Sequence, residues 1–404
     1  MSPVTPSNMR PLVRAALVAP FTAALLTSCS LVGGPWQKPK EPPPPPPPPA
    51  EAPLAQPTHR FVLADDQQDL IGQVVVTKAR KEDTLSDIAR RFNVGYEELV
   101  RSNPKVDPWL PGDGREIVIP SRFILPNAPR EGIVINVAAM RMFFYPKRKP
   151  GEPQVVYTHP IGIGKVGWST PEGTTKVIRK KKDPVWVPGP GVRAEHKENG
   201  EILPPVVGPG PENPLGNRAM YLGWPQFLIH GTNKPYGVGL RSSHGCIRLY
   251  PEDIEPIFEM VQVGEKVTVV NQPYLFGIED GELYLQTLDV LEDDPRDFKK
   301  KQRVLIDKAM SKSVLARLKA KKQAVDYPLI AQHAHDPYGV PVSVSRADAT
   351  VEAVVAAAPR VRNAVPLGAT WDGVSNNQVD EATFNSMITE EKKEDPATPP
   401  KTGT

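Results

Sequence analysis

Cysteine is nearly absent: the 404-residue chain has two, Cys29 and Cys246, too few for the disulfide framework of a small exported domain. Each needs its own explanation. Charge of one sign is lacking too. Lys and Arg number 49 against 46 Asp and Glu, a net +3. The two signs are interspersed with no basic stripe, which argues against a nucleic-acid partner. Long apolar runs are missing apart from one near the start, and mean hydropathy is −0.35, which excludes a polytopic membrane protein. What abounds is proline, 49 residues, or about 12% of the chain against a usual share of roughly 5%. That excess excludes one compact globule and points to two or three domains plus linkers.

The single apolar run, from Ala15 to Leu26, follows Arg10 and Arg14 and contains Pro20. It is too short for a stable membrane span and has the layout of an export signal. It ends in Leu26-Thr27-Ser28-Cys29, with small side chains of the kind a signal peptidase accepts. This tetrad resembles a bacterial lipobox. The resemblance implies a signal peptide over residues 1–28 and lipidation of Cys29. Ser30 rather than aspartate follows, which in that sorting pattern implies the outer membrane. The expected location is the cell envelope, on the periplasmic face.

Residues 29–73 read as a linker centred on the unbroken run Pro42 to Pro49, which adopts polyproline II and acts as a semi-rigid spacer. A compact unit is expected next. Val74-Val75-Val76 reads as a strand, Asp83 or Thr84 can cap a helix with Leu85, Ile88, Ala89 and Phe92 on one face, and Gly95 breaks it. A second helix runs from Tyr96 to Ser102 and stops at Asn103-Pro104; after the Pro111-Gly112 turn, Ile117 to Pro120 closes as a strand. This βααβ pattern over residues 74–121, with Asp83-Thr84-Leu85, Ile88-Ala89 and Asn103-Pro104, resembles a LysM module. The resemblance implies binding to N-acetylglucosamine-containing glycans such as peptidoglycan. The turn Gly112-Asp113-Gly114-Arg115 is longer than the usual LysM turn.

From Gly132 the period becomes strand-like. A hairpin is expected from Ile133–Val137 and Met140–Tyr145, with further strands at Gln154–Thr158, Thr174–Ile178, Phe227–Ile229 and Val267–Val270, so residues 131–270 read as a mainly β domain. Within it, Arg179 to Leu222 carries eight prolines and reads as a structureless connection, for which a lid over a site is the first guess. Residues 271–330 are expected to form a strand at Glu282–Gln286 and one charged helix from Pro295 to Val325. Residues 331–404 read as a disordered tail. Its His333, His335 and Asp336 could meet a metal, but histidines in a polar tail are more often bystanders, and no metal or cofactor is expected.

The chemistry points to Cys246. A lone thiol in the folded part of an exported protein, with histidines near it, is a candidate nucleophile. The thiolate is the attacking form, so a base or a cation must assist it. His230 ends a β segment sixteen positions upstream, and the glycine-containing loop 232–242 can bring it back. Gly245 directly before Cys246 permits an unusual backbone angle and frees adjacent N–H groups for an oxyanion. A buried structural cysteine beside core histidines is the alternative for each residue taken singly.

Together, His230-Gly231-Thr232-Asn233, Ser243-His244-Gly245-Cys246-Ile247-Arg248 and Thr170-Pro171-x-Gly173 closely resemble the L,D-transpeptidase (YkuD-type) family. The resemblance implies that Cys246 attacks the carbonyl between the third and fourth residues of a peptidoglycan stem tetrapeptide, releasing D-alanine and forming a thioester. It implies His230 as proton acceptor and donor, oriented by the Gly231 carbonyl. His244 and the Gly245–Cys246 amides line an oxyanion region, Arg248 binds a substrate carboxylate, and Ser243 with Arg241 supports the loop. The acyl acceptor is then an amine, on an envelope protein's lysine or on a second stem to give 3–3 cross-links. Water as acceptor would make a carboxypeptidase. A non-catalytic lipoprotein tethering membrane to wall is the rival from another class.

Overall fold

The computed structural model describes residues 52–55 and 59–374. The expected signal peptide, Cys29, the polyproline run and the end of the tail lie outside the described residues. No helix among the described residues is long and apolar enough to cross a membrane.

Three short strands open the folded part: β1 (Arg60–Val62), β2 (Leu70–Gly72) and β3 (Val75–Lys78). Residues 60–72, expected to be linker, are thus part of the folded body, because β1 pairs along its length with a strand of the next domain. Two helices follow, α1 (Leu85–Arg91) and α2 (Tyr96–Ser102), then β4 (Glu116–Ile119) and β5 (Arg122–Ile124). β3 and β4 pair antiparallel, β2 and β5 likewise, so the βααβ unit is present. Thr84 rather than Asp83 caps α1: its hydroxyl accepts from the Asp87 amide at 3.2 Å while Asp87 accepts from the Thr84 amide at 2.9 Å. Leu85, Ile88 and Leu99, all fully buried, pack on Ile117 and Ile119.

The second domain contains β6 (Gly132–Asn136), β7 (Arg141–Tyr145), β8 (Val155–Pro160), β9 (Ile163–Gly164), the long β10 (Gly173–Lys182), α3 (Pro190–Glu198), β11 (Arg218–Leu222), β12 (Leu228–His230), β13 (Arg241–Ser243), β14 (Ile247–Arg248), α4 (Pro251–Met260) and β15 (Lys266–Val270). One nine-stranded sheet runs in the order β1-β8-β7-β6-β15-β10-β11-β12-β14. β10 serves two halves of it, pairing with β15 up to Lys176 and with β11 from Val177 onward, with a bulge between Val177 and Arg179. Such a bulge bends and twists the strand. Ile133, Ile135, Met142, Met220, Ile229, Ile247 and residues of α4 fill the core beneath.

The two domains are locked together at α2. Arg141, 1% exposed on its side chain, donates from Nε and Nη2 to both carboxylate oxygens of Glu98 at 2.8 and 2.7 Å. Glu98 also receives the Gly95 amide at 2.7 Å. Gly239, with φ +81°, presses on Gly95, and a Cβ there would lie 2.2 Å from the Tyr96 nitrogen. Replacing Arg141 with alanine would strand the Glu98 carboxylate inside the protein. The expected loss is about 3–5 kcal/mol, read as a clear fall in thermal midpoint. A midpoint within a degree of the parent would show that the pair is not a clamp.

The remaining elements are β16 (Tyr274–Glu279), β17 (Glu282–Thr287), α5 (Phe298–Ala309), α6 (Lys312–Ala320), α7 (Tyr327–His335), β18 (Val342–Ser343) and α8 (Val351–Ala357). Two expectations are corrected here. The single charged helix is two, because Ser311 caps a fresh start by accepting from the Val314 amide at 3.1 Å. The stretch 331–374 is not a structureless tail: β18 pairs with β17, and Val340, Val342 and Val344 are buried. Beyond α8 the chain returns to the βααβ unit, where the Val361 amide donates to the Val76 carbonyl at 2.8 Å and Arg91 to the Gly373 carbonyl at 2.8 Å. Backbone pairing at Val76 is joined there by apolar packing, since Val76, Val340 and Ala358 share one buried cluster. His333 and His335 lie on α7, and among the described residues no cluster of three or more His, Cys, Asp or Glu side chains is placed to hold a metal.

Candidate active site

β12 and β14 run parallel, with Ile229 opposite Ile247 and His230 opposite Arg248. Both isoleucines are fully buried in the core. Since side chains alternate along a strand, Leu228, His230, Cys246 and Arg248 are sent to the other face. All four line one cavity of about 710 Å³.

The turn into Cys246 depends on glycine. Gly245 has φ +95°, and a Cβ would meet the Phe227 ring at 2.7 Å, so neither the angle nor the space admits a side chain. Thr170 donates to the Gly245 carbonyl at 2.9 Å, and Ser243 to the Cys246 carbonyl at 2.6 Å. Behind them β13 pairs with β9. Arg241 grips both oxygens of Asp293 at 2.8 Å, an anchor from the C-terminal extension.

His230 is 3% exposed, and its Nδ1 lies 2.5 Å from the Gly231 carbonyl. A carbonyl only accepts, so Nδ1 carries the hydrogen and Nε2 keeps its lone pair. Burial, aided by the Arg248 charge, pulls the imidazole down to about 3, which keeps the ring neutral. The Cys246 thiol donates to the Gln226 carbonyl at 3.4 Å. Burial pushes it up, opposed by a backbone contact at Leu228 and by Arg248. Both groups are therefore driven toward their uncharged forms, a thiol and a neutral imidazole rather than a preformed ion pair.

His244 also lines the cavity. Its Nε2 lies 3.0 Å from a Glu195 carboxylate oxygen, and Trp168 meets its ring edge-on at 4.9 Å. Burial lowers its basicity, with Glu195 opposing and Lys165 adding to the fall. Glu195 pairs with Lys165 as well. Glu195 belongs to α3, inside the stretch expected to be structureless. That expectation is corrected: residues 179–182 extend β10, α3 forms the middle and β11 the end. Asn213 pins the intervening loops, donating to the Pro184 carbonyl at 2.7 Å and accepting from the Leu215 amide at 2.9 Å. The insertion supplies much of the cavity wall, including Trp186, Arg193 and Leu215.

The site therefore gathers Cys246, His230, His244, Ser243 and Arg248 at one cavity, with Gly231 and Gly245 shaping its backbone. Sequence reasoning did not single out Trp168, Glu195 or Gln226. Gln226 sits at φ +71°, an uncommon angle for a residue with a side chain, and no sequence pattern marks it. Glu195 was reachable only through the proline-rich insertion as a whole.

The family model for the L,D-transpeptidase (YkuD) catalytic domain matches residues 130–269, and that for the LysM domain matches residues 78–109. A probable L,D-transpeptidase ErfK/SrfK of Salmonella typhimurium is 36% identical over 289 residues, 70% of this chain and 91% of that protein. A probable L,D-transpeptidase YbiS of Escherichia coli K12 is 40% identical over 258 residues, 63% of this chain and 82% of that protein. Among solved structures, an L,D-transpeptidase from Mycobacterium smegmatis is 26% identical over 35% of this chain and 58% of its own, with a TM-score of 0.24.

Proposed function

Starting from the fact that the chain belongs to the L,D-transpeptidase family and is an enzyme of that class, we propose that Cys246 is its nucleophile and His230 its base, acting on peptidoglycan stem tetrapeptides. The observation that carries this reading is the parallel register of β12 and β14, which puts both side chains on one face of one cavity. The Nδ1 contact to Gly231 leaves Nε2 as the proton acceptor.

Cys246 Sγ attacks the carbonyl between the third and fourth stem residues while its proton passes to His230 Nε2. The oxyanion is met by the Gly245–Cys246 amides and the His244 edge. The peptide C–N bond breaks, D-alanine leaves with the proton returned by His230, and a thioester remains. An acceptor amine attacks the thioester, gives its proton to His230, and the sulfur departs to be reprotonated. Arg248 is suited to hold a substrate carboxylate by its planar fork. Ser243 fixes the turn. The acceptor is a protein lysine or a second stem; water would give a carboxypeptidase. The test is the intact mass of the protein after incubation with a tetrapeptide: a tripeptide adduct on Cys246 with free D-alanine supports it, and no adduct sinks it. A purely tethering role is weighed against by the assembled pair itself.

The LysM and catalytic domains support action at peptidoglycan in the cell envelope. We extend this to an outer-membrane lipid anchor at Cys29, which rests on the sequence around it. In cells fed labelled palmitate, Cys29→Ser should take up no label. Label on that variant would reject the anchor.

A further inference from the structure

The lining of the cavity is one-sided in charge. It includes Arg179, Lys181, Arg193 and Arg248, and no aspartate or glutamate. Arg248 sits beside the cysteine and histidine. The other three belong to the insertion and its entry strand, and all three are exposed.

Their neighbours make the contrast. β10 alternates, and its other face uses its charge within the fold: Lys180 donates to the Val261 carbonyl at 2.6 Å, and Lys182 pairs with Glu259 at 2.7 Å. Lys165 pairs with Glu195. Arg179 and Lys181 face the cavity, and no carboxylate among the described residues pairs with them or with Arg193. Arg179 is instead laid on the Tyr221 ring, 3.6 Å from its centroid, which holds the guanidinium plane while leaving its edge donors to point elsewhere. Glu195, on the same helix as Arg193, is spent on Lys165 and His244. Three like charges kept without a partner around one cavity cost mutual repulsion, which an anionic ligand relieves.

We propose that Arg179, Lys181 and Arg193 form a carboxylate-selecting wall, which makes the enzyme prefer donor stems with free carboxylates over stems in which those groups are amidated. This rests on the stem-peptide reading above. A tetrapeptide stem carries a terminal carboxylate, and each acidic residue in it adds another. Arg248 can engage one near the reacting bond, and the three outer cations engage those farther away. Amidation removes the charge and the bidentate acceptor while leaving size almost unchanged. Because these cations stand at exposed positions, each contributes modestly and is screened by salt.

The test reads binding apart from chemistry. Full-length protein carrying Cys246→Ala is titrated with two tetrapeptides that differ only in amidation. The free-carboxylate peptide should bind roughly tenfold more tightly at low salt, and most of that advantage should vanish as ionic strength rises. Adding Arg179→Gln, Lys181→Gln and Arg193→Gln together should bring the two affinities within about twofold, with the thermal midpoint as the folding control. Arg193→Gln alone should remove roughly a threefold share, so the wall can be read even if the combined variant fails to fold. Equal affinity for both peptides in the parent, or an undiminished preference in the variants, overturns the proposal. Failure of the cysteine reading is seen separately, as no mass adduct on the unmutated protein.

Discussion

Cys246→Ala should abolish transpeptidation, with a loss of at least about 10⁴-fold, the scale reached when a nucleophile is removed. The site offers no substitute. Ser243 faces the same cavity but spends its hydroxyl on the Cys246 carbonyl at 2.6 Å, and the alanine variant leaves that turn intact. Thermal midpoint should hold, because the thiol's hydrogen bond to the Gln226 carbonyl is long, at 3.4 Å. Retention of peptidoglycan by the βααβ unit should hold too, since that unit has its own core of Leu85, Ile88, Leu99, Ile117 and Ile119. The measurement is D-alanine release alongside sedimentation with purified wall. Full release by the variant would remove Cys246 from the mechanism.

His230→Ala should slow acylation of Cys246 by about 10²-fold or more at neutral pH, and it should change the pH profile as well as the rate. In the parent protein, burial and Arg248 hold the His230 imidazole down to about 3, so the base is unprotonated across roughly pH 5–8. Cys246 is pushed up by burial and stays a thiol over the same range. Neither group titrates there, so the parent rate should be nearly flat. Without the imidazole only the thiolate reacts. Its fraction falls about tenfold for each pH unit below the thiol's own value, so the variant's rate should climb steadily as pH rises. His244→Ala should instead lower the rate without adding that slope, because its ring lines the cavity and is tied to Glu195 at 3.0 Å, the position of the proposed oxyanion region. Acylation rates from acid to alkaline pH separate the two. A slope acquired by His244→Ala and not by His230→Ala would transfer the base to His244.

The legibility of this chain follows the range of the interactions involved. The βααβ unit could be read because each of its signals is local: a cap three residues from its partner at Thr84 and Asp87, apolar spacing in α1, and glycine and proline punctuation. The β6–β7 hairpin was readable for the same reason. Residues 331–374 misled because their order comes from backbone pairing with β17 and β3, far away in the chain, and composition carries no trace of a distant partner. Residues 60–72 misled likewise, since β1 is held by β8.

By itself the sequence singled out the candidate atoms for the chemistry, the Cys246 thiol and the His230 imidazole. One thiol after a glycine and two histidines before glycines, His230 and His244, can be read without coordinates, and Gly245 announces a backbone angle that other residues resist. Tertiary structure alone decided the environment of those atoms. The parallel register of β12 and β14 turns two separated motifs into one face, and burial beside Arg248 keeps the His230 imidazole neutral. The insertion folds its helix back so that Glu195 reaches His244 while Arg179, Lys181 and Arg193 ring the cavity. Electrostatics depends on distance and burial rather than on order along the chain, so those properties had no signature before the chain was folded.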